Sequence, residues 1–437
     1  MVVNLKNPRI LGLTIMEELF QYIWKFRLYP QTALVADNGA SVEILDSGVQ
    51  NRDAGPDFFN AKVKLGDKLW AGNVEVHLRS SDWLRHGHDK DKTYDSVILN
   101  VVEVRDADIF RSNGEAIPQL VLPFPVEIRD HYKHLLTDIS AIPCRDQLKD
   151  IDSFLLSSWK NALLTERLER KTEAIQQLLA LNHQNWEEAF YVTLLRSFGL
   201  GVNSDAFERL ARSLPLVYIQ KHADSLLQVE AFFFGQSGLL EVENDENAYL
   251  TLLKREFQFL QNKFSLKAIE KEAWRFLRLH PANFPHIRLA QVAALIHQTR
   301  ALFSKVINID SPEEFYSMLN VEPSAYWQTH YNFDSESASK TKRLGKTSLQ
   351  VALINAVIPM MFAYGRATAQ EDLCDRAISL LETLKSEDNK IVREWRSVGV
   401  EVATAFDSQS IIQLQREYCD KKKCIYCRIG HRILSRK

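Results

Sequence analysis

The order of hydrophobic and polar residues predicts different elements in the two parts of the chain. Starting at Met16, apolar residues recur three, four and seven positions later, which predicts a helix over residues 15–27. Thr14 and Glu17 have the spacing of a capping box, so we expect Thr14 to cap the start of this helix. Alternating or continuous apolar stretches then predict four strands, over residues 41–45, 58–65, 69–78 and 97–104.

A hairpin and a buried strand organise this predicted sheet. Gly66 and Asp67 separate the second and third strands as a glycine-first turn, which suits antiparallel pairing. Residues 97–104 are apolar almost without interruption, as in a strand that is covered on both faces. We therefore predict a compact α+β domain over residues 1–150.

From residue 151 onward the hydrophobic spacing is helical almost throughout. We predict a large all-α domain over residues 151–415, in which breakers such as Gly199 and Pro323 separate the helices. The clearest helices are predicted over residues 154–181, 186–198, 204–214, 224–235 and 248–262. The last stretch, residues 416–437, is rich in cysteine and basic residues, and we predict that it forms a small metal-binding module.

Composition narrows the class of protein. A chain of 437 residues with 46% hydrophobic content is long enough for two or three domains with sizeable cores. Its formal net charge of -2 means that any contact with nucleic acid must depend on local basic patches. The N-terminus lacks the pattern of a signal peptide, and the most apolar stretch, residues 349–364, is shorter than a bilayer requires. We expect a cytoplasmic protein without a membrane span.

Acidic residues and histidines are concentrated in residues 54–91. Because side chains alternate along a strand, Asn73, Glu75 and His77 are expected to share one face. Asp57 begins the preceding strand of the same hairpin, where its carboxylate can meet that of Glu75. Such a pair can hold Mg²⁺ or Mn²⁺, which would activate water and stabilise charge on a phosphate. The alternative interpretation is a solvated polar edge of the sheet.

The pair Pro56 and Asp57, followed by Glu75 and His77 two residues apart, resembles the motif of the PD-(D/E)XK nuclease superfamily. The resemblance implies a restriction-endonuclease-like helix on a mixed sheet, with Asp57 and Glu75 as metal ligands and Glu17 as an extra carboxylate. It also implies hydrolysis of nucleic-acid phosphodiesters. His77 stands where the motif has a lysine, and an imidazole is a base or ligand rather than a permanent cation.

A second resemblance extends over nearly the whole chain. Segments throughout it are similar to an uncharacterised bacterial family, domain-of-unknown-function family 2851, and they include GPDFFNAKV, GNVEVH, SSDW, INAVIPMMFAYG and the spaced cysteines of the C-terminus. This resemblance implies no activity. It implies that the α+β domain, the helical domain and the cysteine-rich stretch belong to one design.

Two further hypotheses concern the same region. His86 and His88 are either part of a polar loop or additional ligands, and convergence with His77 would favour zinc or another transition metal. The protein would then be a hydrolase of a small phosphate or ester. Alternatively, the chain is a nucleic-acid-binding or scaffold protein without catalytic activity. His77, in the lysine position of the motif, is the best support for that hypothesis.

The C-terminal cysteines have the spacing of metal ligands. Cys419, Cys424 and Cys427 supply three thiolates, of which the last two can grip one ion around a turn. The fourth ligand is either His431, which would complete a zinc site, or Cys144, which would make an all-thiolate site for zinc or an iron–sulfur cluster. We expect zinc rather than the cluster, and the alternative is a set of buried, unligated cysteines.

A basic stretch near residue 340 is the candidate nucleic-acid contact. Lys340, Lys342, Arg343 and Lys346 follow the aromatic residues of 326–333. Cations that neutralise a phosphate backbone beside rings that stack on bases are typical of single-strand binding. The alternative is a solvated charged face beside ordinary core aromatics.

Overall fold

A computed structural model describes residues 8–242, 246–334 and 336–436, with the side chains from residue 15 onward. The chain divides into two compact units. The first contains the residues up to Leu156 and those from Gln415 onward, and the second runs from Ser157 to Leu414. The cysteine-rich C-terminus, predicted to be a separate module, therefore groups with the N-terminal unit.

The first unit is α+β, as predicted. Strands over residues 58–65 and 97–104 are confirmed with the same bounds, because alternation and an unbroken apolar run are strong local signals. Up to residue 137 its helices and strands are α1 (Pro8–Lys25), β1 (Val42–Asp46), β2 (Val49–Gln50), β3 (Phe58–Leu65), β4 (Lys68–Arg79), α2 (Ser81–Arg85), β5 (Val97–Val104), β6 (Gln119–Val121) and α3 (Val126–Thr137).

The strands form one mixed sheet in the order β1-β3-β4-β5-β6, and β2 also pairs with β3. The β3–β4 hairpin is antiparallel, with Leu65 opposite Lys68 and Gly66 at a φ of 59°, which a glycine adopts without strain. The β4–β5 and β5–β6 pairs are parallel. Because α2 lies in the connection from β4 to β5, the sheet combines the antiparallel β3–β4 hairpin with a parallel crossover from β4 to β5.

Helix α1 covers one face of this sheet. Leu19, Phe20 and Ile23 are buried against strand residues such as Val74 and Val76. The helix begins at Pro8, so the prediction that it starts at about residue 15, with Thr14 as its cap, was wrong. Proline is favoured in the first turn, where its missing N–H costs no hydrogen bond, and the helix extends from there through Thr14, whose side chain lies outside the described residues.

The second unit is helical, as predicted, and the helix over residues 186–198 has the predicted bounds. The helices between the two segments of the first unit are α4 (Ser153–Leu181), α5 (Trp186–Phe198), α6 (Ser204–Ser213), α7 (Leu216–Gln220), α8 (Leu226–Gln236), α9 (Ala248–Phe264), α10 (Pro285–Gln298), α11 (Leu302–Val306), α12 (Pro312–Met318), α13 (Tyr326–Thr329), α14 (Lys346–Ala352), α15 (Ile358–Ala367), α16 (Glu371–Thr383), α17 (Lys390–Ser397) and α18 (Ala405–Leu414). The final helix, α19 (Arg428–Leu434), returns to the first unit.

One helical stretch, Lys346–Ala367, is long and apolar enough to cross a membrane by length and composition. It is longer than predicted because a π-helical segment, Leu353–Val357, keeps the helix continuous up to Pro359, whose missing N–H would otherwise break it. In its most apolar 18-residue segment, 72% is buried inside the protein. Such burial is typical of the core helix of a soluble protein.

Candidate active site

Two carboxylates meet where β3 begins and β4 is fully buried. The backbone N–H of Asp57 donates a hydrogen bond to Glu75 Oε2 at 2.9 Å. In return, the N–H of Val76 donates to Asp57 Oδ2 at 3.0 Å, and Gln21 Nε2 on α1 donates to Oδ1 at 2.9 Å. The antiparallel pairing of the two strands thus holds the predicted pair side by side in a fixed orientation.

Ionisation of these two carboxyl groups is unfavourable unless a cation lies nearby. Burial, followed by the charge of Glu75, raises the pKa of Asp57 to about 8, and burial raises the pKa of Glu75 to about 8. Glu17 on α1 has a pKa of about 7, because of burial and then the negative charges of Asp57 and Asp82. A bound cation would reverse this effect and hold the acids ionised.

His77 is oriented toward Glu75 by a buried amide. Its side chain shares the strand face of Glu75, and its Nδ1 lies 3.0 Å from Asn100 Oδ1 on the neighbouring β5. The tautomer in which Nδ1 donates to that oxygen leaves a lone pair on Nε2, which has no hydrogen-bond partner among the described residues. This Nε2 lies 3.7 Å from Glu75 Oε1. Burial lowers the pKa of His77 to about 3, so the ring is neutral and able to act as a ligand.

Two more histidines lie beside His77, and one of them also approaches Glu75. After α2 ends, Gly87 adopts a φ of 77° and turns the chain, so that His86 and His88 both face His77. His88 Nε2 lies 3.4 Å from Glu75 Oε1, and its ring stacks on Tyr94 with a centroid distance of 3.7 Å. Ring nitrogens of the three histidines lie within 4.8 Å of one another. The loop interpretation of His86 and His88 missed this convergence.

This donor set fits a transition metal. A carboxylate oxygen of Glu75 and three imidazoles suit Zn²⁺ or Mn²⁺ better than Mg²⁺, which prefers oxygen ligands and retains several waters. The fit is supported by the buried Nε2 of His77, whose second ring nitrogen is fixed by Asn100 as metal-ligating histidines commonly are. Of the predicted residues, Glu75 thus lies beside His77 and contacts Asp57, and Glu17 is close enough for the charges of both carboxylates to act on it.

The four candidate thiols also lie together. Cys144, Cys419, Cys424 and Cys427 line one small cavity in the first unit, and none of them forms a disulfide. Burial, with the charges of neighbouring thiols, raises the pKa of Cys144 to about 12. His431, the other candidate for the fourth ligand, instead places Nδ1 2.6 Å from the Tyr22 hydroxyl.

The predicted basic patch lies in the second unit and is smaller than expected. Lys342 is buried, donates from Nζ to the His330 carbonyl at 2.6 Å and lies 3.7 Å from the ring centroid of Tyr331. It therefore does not present its charge to a partner, which corrects the prediction for this residue. Arg343 is exposed but pairs with Glu322 at 3.2 Å, and Lys340 and Lys346 are exposed.

A different basic groove in the first unit was missed by sequence reasoning. Its cavity of about 310 Å³ is lined by Lys25 on α1, Arg52 in the loop before β3, and Tyr426 and Arg428 of the C-terminal segment. The Arg52 guanidinium lies 5.3 Å from the ring centroid of Tyr426. The charge run near the cysteines was visible in the sequence, but its proximity to α1 depends on the fold.

Comparison with known proteins identifies a family but no activity. No curated protein and no solved structure showed significant similarity to the chain. The model of one family, described as "Protein of unknown function (DUF2851)", matches residues 17–390. This match includes the second half of α1, the whole sheet and most of the helical unit. The chain therefore belongs to the DUF2851 family.

Proposed function

We propose that the first unit is a metal-dependent phosphodiesterase that hydrolyses nucleic acid. The observation that carries this proposal is the position of Glu75, which contacts Asp57 through one oxygen and faces His77 and His88 through the other. Residues from α1, β3, β4 and the β4–β5 connection meet at this carboxylate. The order of a helix, an antiparallel hairpin and a parallel strand supports the resemblance to PD-(D/E)XK nucleases.

The metal would be held by Glu75, His77, His86 and His88, with Asp57 beside them. When bound, a divalent ion supplies charge stabilisation at a phosphoryl oxygen and lowers the pKa of water. The protein's own contribution is orientation: Asn100 fixes the His77 ring, and Gln21 and the Val76 N–H fix the Asp57 carboxylate. Fixed ligands reduce the reorganisation required when charge develops in the transition state.

Glu17 is the candidate for proton transfer. It is half-buried on α1, close enough to Asp57 and Glu75 for their charges to act on it. A carboxylate that is not itself a metal ligand can accept and return a proton during turnover. We propose that Glu17 carries the proton that the attacking water loses or the leaving oxygen gains.

The basic groove supports a polyanionic substrate. Glu17 and Gln21 on α1 belong to the candidate active site, whereas Glu18 and Lys25 line the adjacent groove, so this helix borders both. Burial and the charge of Arg52 lower the pKa of Lys25. Closely spaced cations beside an aromatic ring suit a phosphate backbone whose bases can stack.

We place this activity in the cytoplasm. All five cysteines carry thiols rather than disulfides, which agrees with a reducing compartment. The apolar helical stretch is largely covered by the protein itself, as in a soluble chain. Fractionation of cells that express the untagged protein tests this location, and recovery in the membrane fraction would contradict it.

Cleavage of labelled single- and double-stranded DNA and RNA, with Mn²⁺, Zn²⁺ or Mg²⁺ added to metal-free protein, tests the proposed function. We expect activity with Mn²⁺ or Zn²⁺ and a loss of about 1,000-fold or more in Glu75→Gln and Asp57→Asn, because each change removes a group from the centre of the site. Glu43→Gln is the matched control, since Glu43 is an exposed carboxylate on β1 of the same sheet. Equal cleavage by Glu75→Gln and Glu43→Gln would refute the proposal.

The three converging imidazoles favour one second candidate, a transition-metal hydrolase of a small phosphate or ester. It would use the same ligands but would not need the basic groove. Arg52→Ala separates the two: the phosphodiesterase should lose affinity for long nucleic acid, whereas hydrolysis of a nitrophenyl phosphate or ester would be unaffected. Binding of nucleic acid without cleavage under any metal would favour the non-catalytic hypothesis.

A further inference from the structure

We propose that Cys144, Cys419, Cys424 and Cys427 together bind one thiophilic metal centre, in addition to the candidate active site. All four side chains line the same cavity, and the remaining lining comes largely from apolar residues and glycine. Four thiolates in a closed apolar site are typical of structural zinc or of an iron–sulfur cluster. The two kinds of centre share this ligand chemistry, and the experiment below distinguishes them.

The C-terminal segment presents three of the thiols from a compact turn. A π-helical segment ends at Cys419, and a 3₁₀ turn, Cys424–Tyr426, follows. The Lys423 N–H donates to the Tyr418 carbonyl at 2.8 Å, and the Cys427 N–H donates to the Cys424 carbonyl at 3.2 Å. These hydrogen bonds close the loop between the cysteines, so the thiols are brought together by local backbone structure.

The segment around Cys144 is held against that turn by its own hydrogen bonds. Gln415 Nε2 donates to the Ala141 carbonyl at 2.8 Å, a contact between residues 274 positions apart. Beyond Cys144, Arg436 donates to the Asp150 carbonyl at 2.8 Å and pairs with its carboxylate at 3.0 Å. Contacts on both sides of Cys144 therefore position the fourth thiol, although none of them involves sulfur.

Gly430 allows the last helix to close the site. A Cβ atom at this position would lie 2.0 Å from the Cys424 carbonyl oxygen. This clash could be relieved only if the backbone moved. Only glycine lets α19 approach the cysteine turn so closely. Gly430 lines the thiol cavity together with Leu135 and Pro143.

His431, the other candidate for the fourth ligand, lines a different cavity from the one that the four thiols share. Its Nδ1 is engaged by the Tyr22 hydroxyl, and its ring lies 4.5 Å from that of Phe26, centroid to centroid. It lines the basic groove on the far side of Cys427 rather than the thiol cavity. The structure thus favours the all-thiolate alternative over three thiolates and one imidazole.

Metal analysis of the full-length protein, purified without oxygen, tests this inference. Zinc, iron and acid-labile sulfide would be measured in the wild type, in Cys144→Ser and in His431→Ala, with Cys374→Ser as the control. Cys374 is a half-buried cysteine of α16 in the second unit, so its substitution matches the chemical change without touching the site. Visible absorption after Co²⁺ titration of the metal-free wild type would report the number of thiolate ligands independently of any variant.

We expect Cys144→Ser to contain at least about tenfold less of the metal that the thiols hold, whereas His431→Ala and Cys374→Ser should match the wild type. Zinc lost in Cys144→Ser would identify a mononuclear site, and loss of iron with equivalent sulfide would identify a cluster. A metal content that is the same in Cys144→Ser and in the wild type would overturn the inference. So would a Co²⁺ spectrum of three thiolates, or loss of metal in His431→Ala but not in Cys144→Ser. None of these results depends on nuclease activity.

Discussion

The histidine–carboxylate cluster and the thiol cluster lie in the same unit but are built in opposite ways. The first comes mostly from one short stretch, in which Asp57 and His88 are the outermost members, whereas the second joins Cys144 to a segment near the C-terminus. In the first cluster, His77 Nε2 has no hydrogen-bond partner among the described residues and faces Glu75, and His86 is exposed to solvent. The thiols instead line a small cavity whose remaining lining is largely apolar. Because catalytic metal sites keep an open position, we expect chemistry at the first cluster and a structural metal at the second.

The largest effect is expected when one imidazole is removed from the histidine–carboxylate cluster. His88→Ala should weaken Mn²⁺ or Zn²⁺ binding by about 100-fold, since it removes a proposed ligand. It should leave the metal content of the thiol cluster unchanged. Isothermal titration measures the affinity, and His131→Ala, which removes an exposed histidine of α3, is the control. If both variants bind the metal with the affinity of the wild type, the histidine–carboxylate cluster is not a metal site.

A smaller effect is expected from the residue that orients His77. Asn100→Val removes the side-chain oxygen that fixes the imidazole but leaves every proposed ligand in place. We expect metal affinity to fall by about tenfold, as is common for changes in outer-shell partners. Restored affinity in Asn100→Gln, measured by the same titration, would indicate that the amide acts through orientation. Unchanged affinity in Asn100→Val would show that the ring is held by packing alone.

A change at the thiol cluster should alter the stability of the protein rather than its activity. Gly430→Ala places a methyl group against the Cys424 carbonyl and should lower the melting temperature of the first unit by roughly 5–10 °C. Calorimetry measures the change. Gly345→Ala is the control, because a Cβ atom there would meet no atom within 4 Å. Identical melting of the two variants would contradict the close approach of α19 to the cysteine turn.

The smallest expected effect concerns the pH dependence of the metal-free protein. The pKa of Glu75 is about 8 in the folded chain against an ordinary value of 4.5, so between these values the folded chain binds more protons than the unfolded chain. The contribution of Glu75 to the free energy of unfolding should therefore fall as pH rises from about 4.5 to 8. At pH 8, metal-free Glu75→Gln should melt roughly 2–4 °C above the wild type, and at pH 5 the difference should be smaller. Glu43→Gln should show neither change. A lower melting temperature for Glu75→Gln at pH 8 would contradict the unfavourable burial of this carboxylate.

The same contrast explains what could be predicted from the sequence. Asp57, Glu75 and His77 follow from strand alternation and a two-residue turn, which are local patterns. The convergence of His86 and His88 depends on the left-handed turn at Gly87, and neither histidine has a periodic signal of its own. The choice between Cys144 and His431 depends on contacts between residues that are far apart in the chain, as does the burial of Lys342. Strand β6, with three residues, is too short for a periodic pattern.

The central claim is that Glu75 and the three histidines bind the metal used for cleavage. It is tested most directly by titrating Mn²⁺ into metal-free protein while bound metal is followed by electron paramagnetic resonance and cleavage of labelled single-stranded DNA is followed in the same samples. We predict that the two curves share one midpoint, and that His88→Ala shifts both to higher Mn²⁺ concentration by the same factor. Cleavage that stays unchanged while binding shifts would contradict the claim, because the metal at this cluster would then not be the one used for catalysis.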